Sequence, residues 1–115
     1  MIEIIKDASM SIYLKLDLYG IQTMIEYVEN IKLNSEMLLQ IIYSGNERYF
    51  SIVIDEDTDE LIINKEIIKI YMAYEECEYF LQRLKEAVDN GYFFPAEICE
   101  RNYKKKNITL LCEVV

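Results

Sequence analysis

The chain has 115 residues, no histidine, ten tyrosines, and 21 acidic against 12 basic side chains, for a formal net charge of −9. Without histidine there is no Ser-His-Asp or Cys-His pair and no imidazole metal ligand, so an enzyme would have to rely on carboxylates, lysine, tyrosine or cysteine. The acidity repels phosphate backbones, which argues against nucleic acid as a partner and for a basic one, although solubility alone also accounts for an acidic surface.

A hydrophobic content of 52% with only three glycines and one proline is enough for a core and leaves little room for linkers, so residues 1–115 read as a single globular domain. No apolar run approaches the ~20 residues of a membrane span. Met1-Ile2-Glu3-Ile4-Ile5-Lys6-Asp7 lacks the basic start and cleavage site of a signal peptide, and none is expected. Cys77 falls on an apolar helix face and Cys112 in an apolar strand, while Cys99 is ambiguous. With no CxxC spacing, buried thiols in a reducing cytoplasm fit better than zinc.

In chain order, Ile2, Ile4 and Ile5 suggest a short first strand. Residues Ser11 to Leu18 alternate, with Ile12, Leu14, Leu16 and Leu18 on one face and Tyr13, Lys15 and Asp17 on the other. The period then changes: Ile21, Met24, Ile25, Val28 and Ile31 mark an amphipathic helix over roughly Gly20 to Lys32, ended by Asn34-Ser35. Met37 to Tyr43 and Arg48 to Ile54 read as a hairpin about Ser44-Gly45-Asn46-Glu47. Leu61 to Ile63 is a short strand, and Ile67 to Tyr74 another. A second helix begins near Glu75, with Cys77, Phe80, Leu81, Leu84, Ala87 and Val88 inward, and stops at Asn90-Gly91. Pro95 opens a short helical turn through Asn102, and Ile108 to Val114 is the last strand. The order β-α-β-β-(β)-β-α-β predicts an α+β fold: an antiparallel or mixed sheet of four to six strands with two amphipathic helices on one face, ferredoxin-like or an elaboration of it.

Between two β-branched segments lies Asp55-Glu56-Asp57-Thr58-Asp59-Glu60, five carboxylates in six residues. Water keeps the charges and the core takes the flanks, so an exposed loop at a sheet edge is expected. Asp55, Asp57, Asp59 and Glu66 fit positions one, three, five and twelve of a calcium loop, but Glu60 stands where that loop needs glycine and the preceding segment is strand-like. No metal or other cofactor is expected, and a solvated acidic turn is the better reading. A carboxylate-based enzyme is the weakest alternative, since nothing accompanies the acids that would make a reaction centre.

Tyrosine is rigid and amphipathic and suits contact surfaces, although most tyrosines bury their rings at the rim of a core. Tyr13 and Tyr71 lie on the outer phase of their strands, Tyr19, Tyr27 and Tyr79 flank the helices, and Tyr92-Phe93-Phe94 follows the second helix. Asp55, Glu56, Asp57, Asp59, Glu60, Tyr13, Tyr71, Tyr92 and Phe93 are therefore the candidate partner-binding residues. Residues 101–115 reverse the charge, with Arg101, Lys104, Lys105 and Lys106 against Glu113 alone. The lysine triad is either a solvated turn or a phosphate contact, the former being the safer reading.

In size and organisation the chain resembles the immunity proteins of contact-dependent growth inhibition and related bacterial polymorphic-toxin systems. The pattern that carries this is the strand Ile12 to Leu18, the helix Ile21 to Ile31, the strand Ile67 to Met72 and the helix Cys77 to Val88. The resemblance implies a non-enzymatic cytoplasmic protein, monomer or small homo-oligomer, that neutralises a cognate toxin, often a basic nuclease, by stoichiometric binding. The alternative is an acidic regulatory or adaptor domain that binds another cellular protein.

Overall fold

The computed structural model describes residues 1–7, 11–32, 37–90 and 96–115. The elements are β1 (Ile2–Asp7), β2 (Ser11–Leu16), α1 (Leu18–Ile31), β3 (Leu39–Tyr43), β4 (Asn46–Ile54), β5 (Leu61–Ile63), β6 (Ile67–Met72), α2 (Tyr74–Asn90), β7 (Ala96–Tyr103) and β8 (Lys106–Val114). They form one sheet in the order β5-β6-β4-β3-β1-β2-β8-β7. Neighbours β1/β2, β3/β4, β5/β6 and β7/β8 are antiparallel, and β1/β3, β2/β8 and β4/β6 are parallel.

This overturns the ferredoxin-like sheet of four to six strands, because eight strands curl until the two edges meet. Asn102 donates its backbone N–H to Asp59 at 2.8 Å, and Glu60 bridges Asn102 in parallel, so the sheet is a nearly closed, barrel-like structure. Closure removes the open edges that a flat sheet exposes to other chains.

Two strands account for most of the difference. β1 runs the full length of β2 as its hairpin partner. Residues 96–102, expected as a helical turn, belong to β7 and pair with β8. The register of β7 shifts between Glu97 and Cys99, so Ile98 and Cys99 are both buried. That bulge breaks the alternation by which a strand is read, and the pairing with β8 supplies what local propensity does not. The stop at Asn90-Gly91 and the Tyr92-Phe93-Phe94 segment extend beyond the described residues.

The alternating strands turn one phase inward. Ile4, Ile12, Ile68, Ile70, Ile108 and Leu110 surround a small apolar cavity, and Leu14, Leu16, Ile52, Met72 and Cys112 are buried in the same core. α1 packs on α2 and touches β2 and β4, while α2 packs on β7. All three cysteines are buried, and desolvation pushes the thiols of Cys77 up to about 11 and of Cys99 and Cys112 up to about 12, which leaves them inert core groups.

Helix α1 starts where Asp17 caps it, its carboxylate accepting the Gly20 N–H at 2.7 Å. Glycine is required at position 20, because a Cβ there would stand 2.0 Å from the carbonyl oxygen of Met1. Lys32, at the end of α1, pairs with Glu78 of α2. Glu78 holds the lysine above its ordinary value, and the ammonium holds the Glu78 carboxyl below the usual 4.5. A lowered carboxylate contributes stability above its unfolded value and loses it as pH falls through the folded one. Glu78→Gln should therefore lower the urea midpoint slightly near neutrality, where the pair contributes, and flatten the fall in stability below pH 4.5.

Tyr27 completes the sheet where β3 runs out. Its hydroxyl donates to the Met37 carbonyl at 2.7 Å and accepts the Ile52 N–H at 2.9 Å, replacing a ladder rung beyond Leu39. Burial raises the phenol above its ordinary value. Tyr27→Phe keeps the ring against Phe50 but strands a buried N–H, and should cost about 2 kcal/mol in chemical denaturation.

Candidate docking surface

The acidic run joins β4 to β5 and passes over the end of β6, where the chain enters α2. Its backbone is tied on both sides. The Asp55 N–H donates to the Met72 carbonyl at 2.8 Å, and the Glu60 carbonyl accepts the Tyr71 N–H at 3.2 Å. With the Asp59–Asn102 bond, these contacts make the loop part of the barrel seam rather than a free turn.

Two of its carboxylates have structural partners. Asp55 accepts the Asp57 N–H at 2.8 Å and the Thr58 hydroxyl at 3.2 Å, which folds the loop back on itself. Glu56 accepts the Tyr74 N–H at 3.0 Å, at the start of α2. Glu76 accepts the Ala73 N–H at 2.9 Å in the same first turn. Unpaired N–H groups and the helix dipole draw negative charge to this end.

The cleft between loop and helix, about 380 Å³, is lined by Asp55, Glu56, Asp57, Thr58, Asp59, Ala73, Glu76 and Arg101. Arg101 is only 6% exposed and holds the seam from inside. Its Nε donates to the Tyr71 carbonyl at 2.5 Å, and its other nitrogens reach the Glu100 carbonyl and the Glu76 carboxylate. Asp57, Asp59 and Glu60 are exposed and form no side-chain hydrogen bond or ion pair among the described residues. The arrangement is an anionic rim, held rigid by backbone contacts and backed by one buried cation.

Tyr71 is half-buried on β6 beside this rim, and its backbone takes part in the seam. Tyr13 is half-buried on β2, between Ile5 and Leu111 of its neighbours. Three strands of the sheet order separate β2 from β6, so Tyr13 stands apart from the acidic rim. Tyr92 and Phe93 lie outside the described residues. The calcium spacing does not converge, since β5 carries the chain away and Glu66 falls in the turn before β6, its carbonyl accepting the Tyr49 N–H. Among the described residues no group of three or more carboxylates or thiols is placed to hold a metal ion, and no helix is long and apolar enough to cross a membrane.

Sequence reasoning missed Arg101, Glu76 and Tyr74. Tyr74 is 44% exposed at the start of α2, and Tyr79 is 45% exposed along a helix surface that also carries Glu75, Glu78, Gln82, Glu86 and Asp89, with Lys85 among them. Glu56, accepting the Tyr74 N–H, links the loop to the start of this helix. The signal of this surface was present in the polar phase of the helix, where acids outnumber bases. No protein-family model and no curated protein matches this chain.

Proposed function

We propose that this chain is an immunity protein that binds and neutralises a basic toxin domain, a nuclease in the simplest case, by stoichiometric occlusion in the cytoplasm. The observation that supports this most is the position of Asp57, Asp59 and Glu60, three carboxylates without a side-chain partner among the described residues, on a loop fixed by the barrel seam. A fixed anionic rim meets a phosphate-binding cleft of lysines and arginines without first having to be ordered. Opposite charge speeds the encounter, and Tyr71, Tyr74 and Tyr79 supply apolar contact beside it. No covalent chemistry is needed. The test is amide hydrogen exchange on this protein with and without a basic toxin domain, sought first among the products of the neighbouring genes. Protection should concentrate in residues 56–60 and 74–79. Protection confined to β1 and β2 around Tyr13, with the loop unchanged, would place the contact elsewhere and remove the charge argument.

A further inference from the structure

The β7–β8 turn, just beyond the seam, gathers several of the chain's positive charges. By alternation Lys6 is in phase with Ile4, and Lys106 with Ile108 and Leu110, so both rim the mouth above the cavity that those three apolar residues help to line. Tyr103 packs against the core at this mouth. The Lys6 ammonium sits 4.8 Å from the centre of its ring and the Lys104 ammonium 5.4 Å. Lys104, Lys105 and Lys106 are exposed, and none of these four lysines has a carboxylate partner among the described residues. Lys6 and Lys104 meet the Tyr103 ring, and Lys105 and Lys106 adjoin them on the same hairpin, so four ammonium groups stand close together in a chain of 21 acids.

The turn beneath them is strained. Lys104 and Lys105 have φ of 49° and 66°, the left-handed pair that a two-residue hairpin demands and that Asn-Gly adopts most easily. The β3–β4 hairpin meets the same demand with Ser44 and Gly45. At β7–β8 the chain holds two lysines in that conformation, steadied by the Asn102 side chain accepting the Lys105 N–H at 3.1 Å. Strain of this kind persists where the side chains are wanted for something else.

We infer that this mouth, formed by Lys6, Lys104, Lys105 and Lys106 around Tyr103, binds a small soluble anion carrying clustered phosphates. Ammonium groups on flexible stems are point-charge phosphate ligands, and an anion between them relieves their mutual repulsion. The ligand is compact because the acidic run reaches Asn102, two residues from Lys104. A long nucleic acid or a flat anionic membrane would meet that negative surface within about one Debye length, ~8 Å at physiological salt. This inference is independent of the toxin-binding reading, because it uses none of the carboxylates of the acidic run, although the β7–β8 turn adjoins the seam where that run ends.

The test titrates inorganic tripolyphosphate into the protein at low salt, followed by backbone amide shifts. Saturable shifts are expected at residues 103–106 and at Lys6, with little change from sodium sulfate at equal ionic strength. The double substitution Lys104→Asn with Lys105→Gly removes two charges and relaxes the turn. It should weaken tripolyphosphate binding at least about tenfold while raising Tm by roughly 4 °C. Lys6→Gln, which leaves the turn untouched, should weaken binding without that rise. Absence of saturable shifts, equal shifts from sulfate, unchanged affinity in the double variant, or tighter binding of a long single-stranded RNA would each overturn the inference.

Discussion

Arg101→Met should destabilise the fold by about 3 kcal/mol, the largest effect expected from any single charged side chain here. The guanidinium is buried and spends its donors on the Tyr71 carbonyl, the Glu100 carbonyl and the Glu76 carboxylate. Methionine fills much of the volume but leaves the Tyr71 carbonyl without this donor and removes the charge facing Glu76. Glu76 is one-third exposed and can rehydrate, which keeps the cost below that of a fully buried pair. Urea denaturation gives the number, with a fall in Tm of roughly 10 °C expected alongside it. The loss should be local as well as global. Exchange of the Asn102 amide, which is bonded to Asp59 across the seam, should accelerate more than that of core amides in β2 or β6. A change within about 0.5 kcal/mol, the range of an ordinary surface substitution, would mean that the seam does not depend on this residue.

Neutralising Asp57, Asp59 and Glu60 to their amides should slow capture of a basic partner about tenfold at low salt and have little effect at high salt. These three side chains have no structural bond among the described residues, so stability should stay within about 0.5 kcal/mol of the parent. Asp55 and Glu56 belong to a different class although they adjoin in sequence. Truncating either to alanine removes a backbone or hydroxyl acceptor at the loop or at the start of α2, and should cost about 1 kcal/mol. Stopped-flow association at two salt concentrations, with denaturation of the same variants, separates steering charges from building ones. Equal rates for the triple variant and the parent at low salt would reduce the rim to a solvated turn. Alanine at Tyr74 or Tyr79 should instead act on dissociation, because exposed aromatics at the edge of the rim bury area only once contact is made.

The division between what the sequence discloses and what it hides follows from where the information resides. β2 and β6 were legible because both show the same alternation of half-buried and buried residues. α1 and α2 were legible from apolar residues at helical spacing, and the acidic run from its contrast with the apolar strands around it. β7 was not, because its bulge places Ile98 and Cys99 inward together and its charged residues have little strand preference. Nor was closure: the bond from Asn102 to Asp59 joins two backbones and has no side-chain signature. The same cause made five carboxylates look alike. Only the fold shows that Glu56 binds the first amide of α2 while Asp59 and Glu60 face water. The reversal of charge after Arg101 was visible, but its partition into one buried seam residue and an exposed basic mouth depends on the register of β7 against β8.

The most direct test of toxin capture is a titration of a purified basic toxin domain, taken from the neighbouring genes where one is encoded, with this protein, followed by the domain's own activity and by calorimetry. Activity should disappear linearly to an end point of one protein per domain, and the apparent affinity should fall as salt is raised. Activity that persists at several-fold molar excess of this protein at low salt, or binding heat that does not change with salt, would contradict it.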